Sequence, residues 1–147
     1  MVLVPPEQNN NLKLTKKQLN NFSRHLILED FGEKKQNIIF NSHITFIGVG
    51  GINCPAIIYL LSMGIKNITI VDYDKVQLNN LNRQIIFSKN DIGKYKVYCA
   101  KKYLKNNFKD ANIKYHNVKI DKKNCAKIIS KTNVVIDGTD NWQTMII

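Results

Sequence analysis

The stretch from Ile44 to Gln84, ITFIGVGGINCPAIIYLLSMGIKNITIVDYDKVQLNNLNRQ, constrains the fold more than any other part of the chain. It opens with a short apolar run, Ile44 to Ile47, of the kind a buried strand needs. Gly48-Val49-Gly50-Gly51 follows as a turn, Ala56 to Met63 carries an apolar helix pattern, and a second strand run, Ile68 to Val71, ends on Asp72. Strand, glycine turn, helix, strand and acid in that order make half of a nucleotide-binding βαβ unit. Gly48 suits the tight turn out of the strand. Gly50 and Gly51 lack a Cβ, so a phosphate can approach the backbone N–H groups at the positive end of the helix dipole. Pro55 falls in the first helical turn, where a missing N–H costs nothing. Asp72 is placed to hold ribose hydroxyls. The third glycine of the usual fingerprint is replaced by Asn53, whose larger side chain predicts a helix and strand set slightly apart.

Beyond Asp72 the chain gathers Asp74, Asn79, Asn80, Asn82, Arg83 and Gln84, and then a Lys-rich stretch that begins at Asp91-Ile92-Gly93-Lys94-Tyr95-Lys96. Arg, Asn and Lys beside a phosphate turn suit a triphosphate, which carries more charge than a dinucleotide pyrophosphate. Single residues are less telling. Lys96 stands among Lys94, Lys101, Lys102 and Lys105, a pattern that by itself reads as a solvated helix face. Arg24 alone reads as a surface residue, and Asp137 and Asp140 at a strand end read as turn formers.

In their order and spacing, five segments resemble the ThiF/MoeB family, adenylating enzymes related to the activating enzymes of ubiquitin. They are FSRHLIL (Phe22 to Leu28), GVGGINCPA (Gly48 to Ala56), IVDYDKVQLNNLNRQIIF (Ile70 to Phe87), DIGKYK (Asp91 to Lys96) and VVIDGTDN (Val134 to Asn141). The resemblance implies a role for each matching residue. Gly48, Gly50 and Gly51 correspond to the phosphate-binding turn and Asp72 to the ribose-binding acid. Asn80 and Arg83, with Gln84 beside them, correspond to residues that contact phosphates, and Lys96 to a lysine that neutralises the triphosphate. Asp140 corresponds to a magnesium-binding aspartate, and Arg24 to an arginine that reaches the ATP site of the other subunit in a dimer. Arg24, Arg83, Lys96 and Asp140 are thus the expected catalytic set, with ATP and Mg²⁺ as cofactors.

The same resemblance implies a partner, a small ubiquitin-like sulfur carrier whose carboxyl terminus is joined to AMP. It also implies a homodimer or a complementing chain. Family members continue for roughly another domain-half after the last matched motif, which here ends six residues before Ile147. A shortened, fragmentary or split enzyme is therefore expected.

Composition bounds the remainder. A chain of 147 residues, 44% of them hydrophobic, supports one modest core. Its net charge of +11 would ordinarily suggest nucleic acid. The lysines are scattered among abundant Asn and Ile, however, and no basic run interleaves with aromatics to stack bases, so no nucleic-acid partner is expected. The basic balance suits attraction of ATP or of an acidic protein partner. Cys54, Cys99 and Cys125 form no C-x-x-C pair, so no zinc site is expected, and His25, His43 and His116 lack ligand spacing. An odd cysteine count without a signal-peptide pattern points to reduced thiols in the cytoplasm. Cys54 beside the phosphate turn reads as a small packing residue, although a helix start there can lower a thiol pKa. The longest apolar run, Ala56 to Leu61, is too short to cross a bilayer, so no membrane association is expected.

The predicted architecture is α/β: a Rossmann-like parallel sheet with helices on both faces, truncated after about four strands, with amino-terminal helices. Residues 1–14 read as a flexible tail and residues 15–147 as the amino-terminal part of an adenylation domain. Thr15-Lys16-Lys17-Gln18 is a capping-box pattern. Helices are expected at Glu33 to Phe40, Asp91 to Asn107 and Lys123 to Ile129, and further strands at Ile113 to Val118 and Val134 to Ile136. Two other functional readings remain open. A nicotinamide-dependent oxidoreductase would bind NAD, but it leaves Asn80, Arg83 and Lys96 without a purpose. A non-catalytic pairing module would keep the dimer surface without turnover.

Overall fold

A computed structural model describes residues 13–140. Four parallel strands, β1 (His43–Ile47), β2 (Asn67–Val71), β3 (Asn112–His116) and β4 (Val134–Asp137), lie in the order β3-β2-β1-β4. Ile44 pairs with Ile68 on one side and with Val134 on the other. The chain thus winds outward from β1 through β2 to β3, then returns to β1's other side. The strand order thus reverses beside β1, and a crevice opens there at the carboxyl ends of the strands.

The period of two along the strands sorts the core. Ile44, Phe46, Ile68, Ile70 and Ile113 face one way and form one apolar cluster with two helices, α4 (Asn53–Ser62) and α5 (Lys96–Asn107). Cys54, Ile57 and Leu61 of α4, and Val97, Ala100 and Leu104 of α5, are apolar positions that the two helices bury in it. On the other face Ile47 and Val71 meet Ile120, with Val135 and with Cys125 and Ile128 of α6 (Cys125–Ile129) packed around them. Helices on both faces of a parallel sheet match the expectation.

The amino-terminal helices are α1 (Lys16–Asn21), α2 (Ser23–Leu26) and α3 (Gly32–Asn41). The capping box forms as expected, with the Gln18 N–H donating to Thr15 Oγ1 at 3.2 Å and the Thr15 N–H donating to Gln18 Oε1 at 2.8 Å. Most of the expected tail, residues 1–12, lies outside the described residues, but Leu14 is buried and its N–H donates to Glu33. Gln36 of α3 joins these helices to the core: its Oε1 accepts from His25 Nδ1 and its Nε2 donates to the Met63 carbonyl. No helix among the described residues is long and apolar enough to cross a membrane.

The fold departs from the expected helix at Asp91 in one respect. Residues 92–95 are not helical. Asp91 closes a 3-10 turn by accepting from Ser88, Gly93 takes φ +84°, and α5 starts only at Lys96. Between them, Gly93 to Lys96 runs antiparallel to Asp74 to Val76. The Gly93 N–H donates to Val76 O, the Val76 N–H to Lys94 O and the Lys96 N–H to Asp74 O, all at 2.9 Å. This short ribbon moves Lys96 to the crevice.

Candidate nucleotide crevice

The crevice has a volume of about 620 Å³, within the roughly 300–1,000 Å³ of small-molecule sites. Its walls include Gly48, Gly50 and Gly51 from the β1–α4 turn, Asp72 and Asp74 from the end of β2, and Asn80, Arg83 and Gln84 from the following loop. Lys96 and Asp140 complete the set. Every expected site residue except Arg24 is thus brought to one place. Arg24 is exposed on α2 and does not line the crevice.

The glycine turn is tight. Gly48 has φ +83°, and its N–H donates to Val71 O at 2.7 Å. Gly51 makes room for Arg83, since a Cβ there would lie 3.0 Å from the Arg83 side chain. Asn53, at the place of the third glycine, packs inside the turn. Its side chain is fully buried, and Nδ2 donates to the Ile47 and Gly48 carbonyls at 3.0 and 2.7 Å. A Cβ on Gly138 would lie 2.5 Å from that side chain, so Asn53 occupies space under the turn that leads from β4 to Asp140. Only one of these two positions can carry a side chain in this geometry.

Asp72 is buried. Its Oδ2 accepts from the Val49 N–H at 2.7 Å and its Oδ1 from the Asp74 N–H at 2.8 Å. A carboxylate offers about four lone-pair sites, so two remain for a ligand. Burial raises its pKa above the ordinary value, against the pull of those two N–H groups and of Lys96. Lys96 is also buried, with Nζ 3.0 Å from Asp74 and 4.0 Å from Asp72. The solvated-face reading of Lys96 therefore fails, while Lys94, Lys102 and Lys105 along the same stretch are exposed. An ammonium has three N–H donors, and Asp74 occupies one of them.

Arg83 donates from Nη1 to Asn79 O and to Asn82 Oδ1. Among the described residues, that leaves Nη2 and Nε with free donors at the crevice wall. Asn80 is more a builder of the loop than an open contact: Oδ1 accepts from the Gln77 N–H and Nδ2 donates to Asn79. Gln84 is buried with Oε1 unpaired among the described residues. Asp137 folds its Oδ1 onto the Thr139 N–H and hydroxyl, and Asp140 is exposed on the wall. Cys54 is fully buried behind the turn, and burial pushes its thiol up to about 11, so it is a packing residue.

No group of three or more carboxylates, histidines or cysteines gathers among the described residues to hold a metal by protein ligands alone. Mg²⁺, however, commonly takes one or two carboxylates and completes its shell with phosphates and water. Exposed Asp140 across from the glycine turn fits that mode.

A sequence model described as the ThiF family matches residues 22–147. A probable molybdopterin-synthase adenylyltransferase from Gracilaria tenuistipitata var. liui is 35% identical over 137 residues, covering 93% of this chain and 39% of the relative. SAMP-activating enzyme E1 from Haloferax volcanii is 32% identical over 133 residues, covering 90% of this chain and 49% of the relative. The chain thus spans less than half the length of either. Among solved structures, E. coli tRNA N6-threonylcarbamoyladenosine dehydratase, TcdA, in complex with ATP, superposes with a TM-score of 0.78 at 25% identity over 90% of this chain and 54% of that one. E. coli MccB with ATP superposes at 0.74 and 24% identity, over 96% of this chain and 41% of that one, which is a likeness of fold. On the family match and the two relatives, the chain belongs to the ThiF family.

Proposed function

We propose that the crevice binds ATP with Mg²⁺ and that the chain takes part in adenylating the carboxyl terminus of a ubiquitin-like sulfur-carrier protein. The single observation that carries this is the burial of Lys96 against Asp72 and Asp74, opposite a glycine turn. A buried cation is costly, and its free donors face a space rimmed by backbone N–H groups. The relatives named as adenylyltransferase and as SAMP-activating enzyme support the reaction class.

In this reading the N–H groups of the glycine turn receive phosphate oxygens, and Arg83 and Lys96 balance their charge. The two lone-pair sites left on Asp72 accept ribose hydroxyls. Asn80 and Gln84 shape the wall between ribose and phosphates. Asp140 holds Mg²⁺, which when bound offsets the triphosphate charge. The carrier's carboxylate attacks the α-phosphorus and pyrophosphate leaves, so the protein's task is alignment and charge neutralisation.

Arg24 acts in an assembled pair. It stands on an exposed helix beside Ile27 and Leu28, which are 71% and 56% exposed, an apolar patch suited to a second subunit. Arg24→Ala is expected to lower turnover of the assembled enzyme and to leave assembly intact. The direct test is ATP–pyrophosphate exchange with candidate carriers. Carrier-dependent exchange supports the proposal. NAD binding with no ATP binding would favour the oxidoreductase reading, and ATP binding without exchange in any assembly would favour the non-catalytic module.

A further inference from the structure

The edge of the sheet at β3 carries an aromatic ladder that is dispersed in the sequence. Tyr95 and Tyr98 meet edge to face at 5.7 Å between centroids, and Tyr98 and Tyr115 at 5.3 Å. Lys75 sits over the Tyr95 ring at 5.1 Å and Lys101 over the Tyr115 ring at 4.5 Å. The three rings are 38%, 47% and 36% exposed, in chain order. Neither lysine has a carboxylate partner among the described residues, where the only Lys–carboxylate ion pairs are those of Lys96.

We propose that this ladder is a docking surface for an acidic protein segment. Tyrosine is favoured in interface cores because it offers a large, stiff, amphipathic contact. The two ammonium groups rest against ring faces, so part of their side-chain entropy is lost before a partner arrives. They are cations without an ion-pair partner among the described residues, on a chain of net charge +11, and carboxylates complement them. A nucleic acid fits less well. Stacking bases needs open aromatic faces, and a lysine already covers a face of each terminal ring. The ladder also starts where the crevice ends. Lys75 bridges Tyr95 in the ribbon, next to crevice-lining Asp74 and Lys96. None of this depends on the identity of the nucleotide.

The test uses the full chain and two labelled probes of equal charge, a ten-residue glutamate-rich peptide and a ten-nucleotide oligothymidylate, read by fluorescence anisotropy. The double variant Lys75→Ala/Lys101→Ala is compared with Lys34→Ala/Lys127→Ala, which removes the same charge from exposed sites elsewhere. The peptide is expected to bind, and the ladder variant to weaken it about tenfold, as for two partly desolvated charge contacts. The control pair should change it less than about twofold, because screened distant charges contribute little. Tyr98→Ser should weaken binding, and Tyr98→Phe should largely retain it. Unaltered ATP binding by each variant, where wild type binds ATP, and an unaltered thermal transition otherwise, verify folding. Equal losses in the two double variants would reduce the effect to net charge and overturn the proposal. Tighter binding of the oligonucleotide, a change in self-association, or no peptide binding would overturn it as well.

Discussion

The two ends of the sheet carry cavities of nearly equal size, about 620 Å³ at the carboxyl ends of the strands and about 600 Å³ at the amino ends. They differ in what is buried. The crevice at the carboxyl ends holds Asp72 and Lys96, both buried and ionisable, and the Oε1 of Gln84, unpaired among the described residues. The groove at the amino ends is floored by Phe22, Phe40, Leu61, Ile65 and Phe108, and its ionisable residues, Lys17, Lys66, Lys109 and Asp110, are all exposed. Lys66 there rests on the Phe40 ring at 4.7 Å. Volume alone does not separate the two. A fold keeps buried charges at a cost, and perturbed titratable groups in a cleft mark where chemistry is expected.

Substitution at equivalent positions should break the symmetry most. Lys96→Ala is expected to lower ATP affinity about ten- to a hundredfold, the loss of a charged hydrogen bond worth about 1.5–3 kcal/mol. Lys66→Ala in the groove should change it less than about twofold, since an exposed charge far from the ligand is screened. Titration calorimetry of both variants reads the difference. Equal effects would mean that Lys96 acts only through net charge.

Asp72→Ala sharpens the comparison within the crevice. Loss of ribose contacts should weaken ATP about tenfold or more and leave inorganic triphosphate nearly unchanged. Because Asp72 also accepts from Val49 and Asp74, an equal loss for both ligands would assign it to holding the turn alone.

The Asn53–Gly138 contact predicts a reciprocal effect on stability. Gly138→Ala inserts a methyl 2.5 Å from Asn53 and should cost about 1–3 kcal/mol by overpacking. Adding Asn53→Gly should recover part of that loss in chemical denaturation. A double variant no more stable than Gly138→Ala would refute the idea that the two side chains compete for one space.

The smallest expected effect lies at the amino end of β1. Burial lowers the His43 pKa below its usual value of 6.5, reinforced by Lys114 and opposed by the hydrogen bond to the Lys131 carbonyl. The unfolded chain therefore takes up the proton first as pH falls. This contribution to stability is complete above about 6.5 and is lost on acidification from there down to the folded value. Denaturation midpoints at pH 7 and pH 5 should differ less in His43→Gln than in the wild type.

Much of the crevice is legible in the sequence because its parts are local. A strand, a glycine turn and an acid twenty-odd residues on are set by chain order, and Arg83 stands out between Asn82 and Gln84. What is not legible depends on pairings between distant segments. Lys96 reads as one of several solvated lysines because its burial comes from the ribbon joining residues 74–76 to 93–96, which has no periodic signature. Gly93 within the expected helix is the one local hint, since its φ of +84° is a conformation that favours glycine. Asn53 reads as a defective glycine because its partner, Gly138, follows a different strand, β4, and lies 85 residues on in the chain (138 − 53). The tyrosine ladder is hidden for the same reason, with Tyr95 and Tyr98 on one segment and Tyr115 on another.

Titration of the chain with ATP and with NAD, each with Mg²⁺ and each repeated on Lys96→Ala, tests most directly whether buried charge marks the site. Single-site binding of ATP, weaker binding of NAD, and loss of ATP binding in the variant are the predicted results. NAD binding in the absence of ATP binding, or ATP binding that is indifferent to Lys96→Ala, would contradict the account.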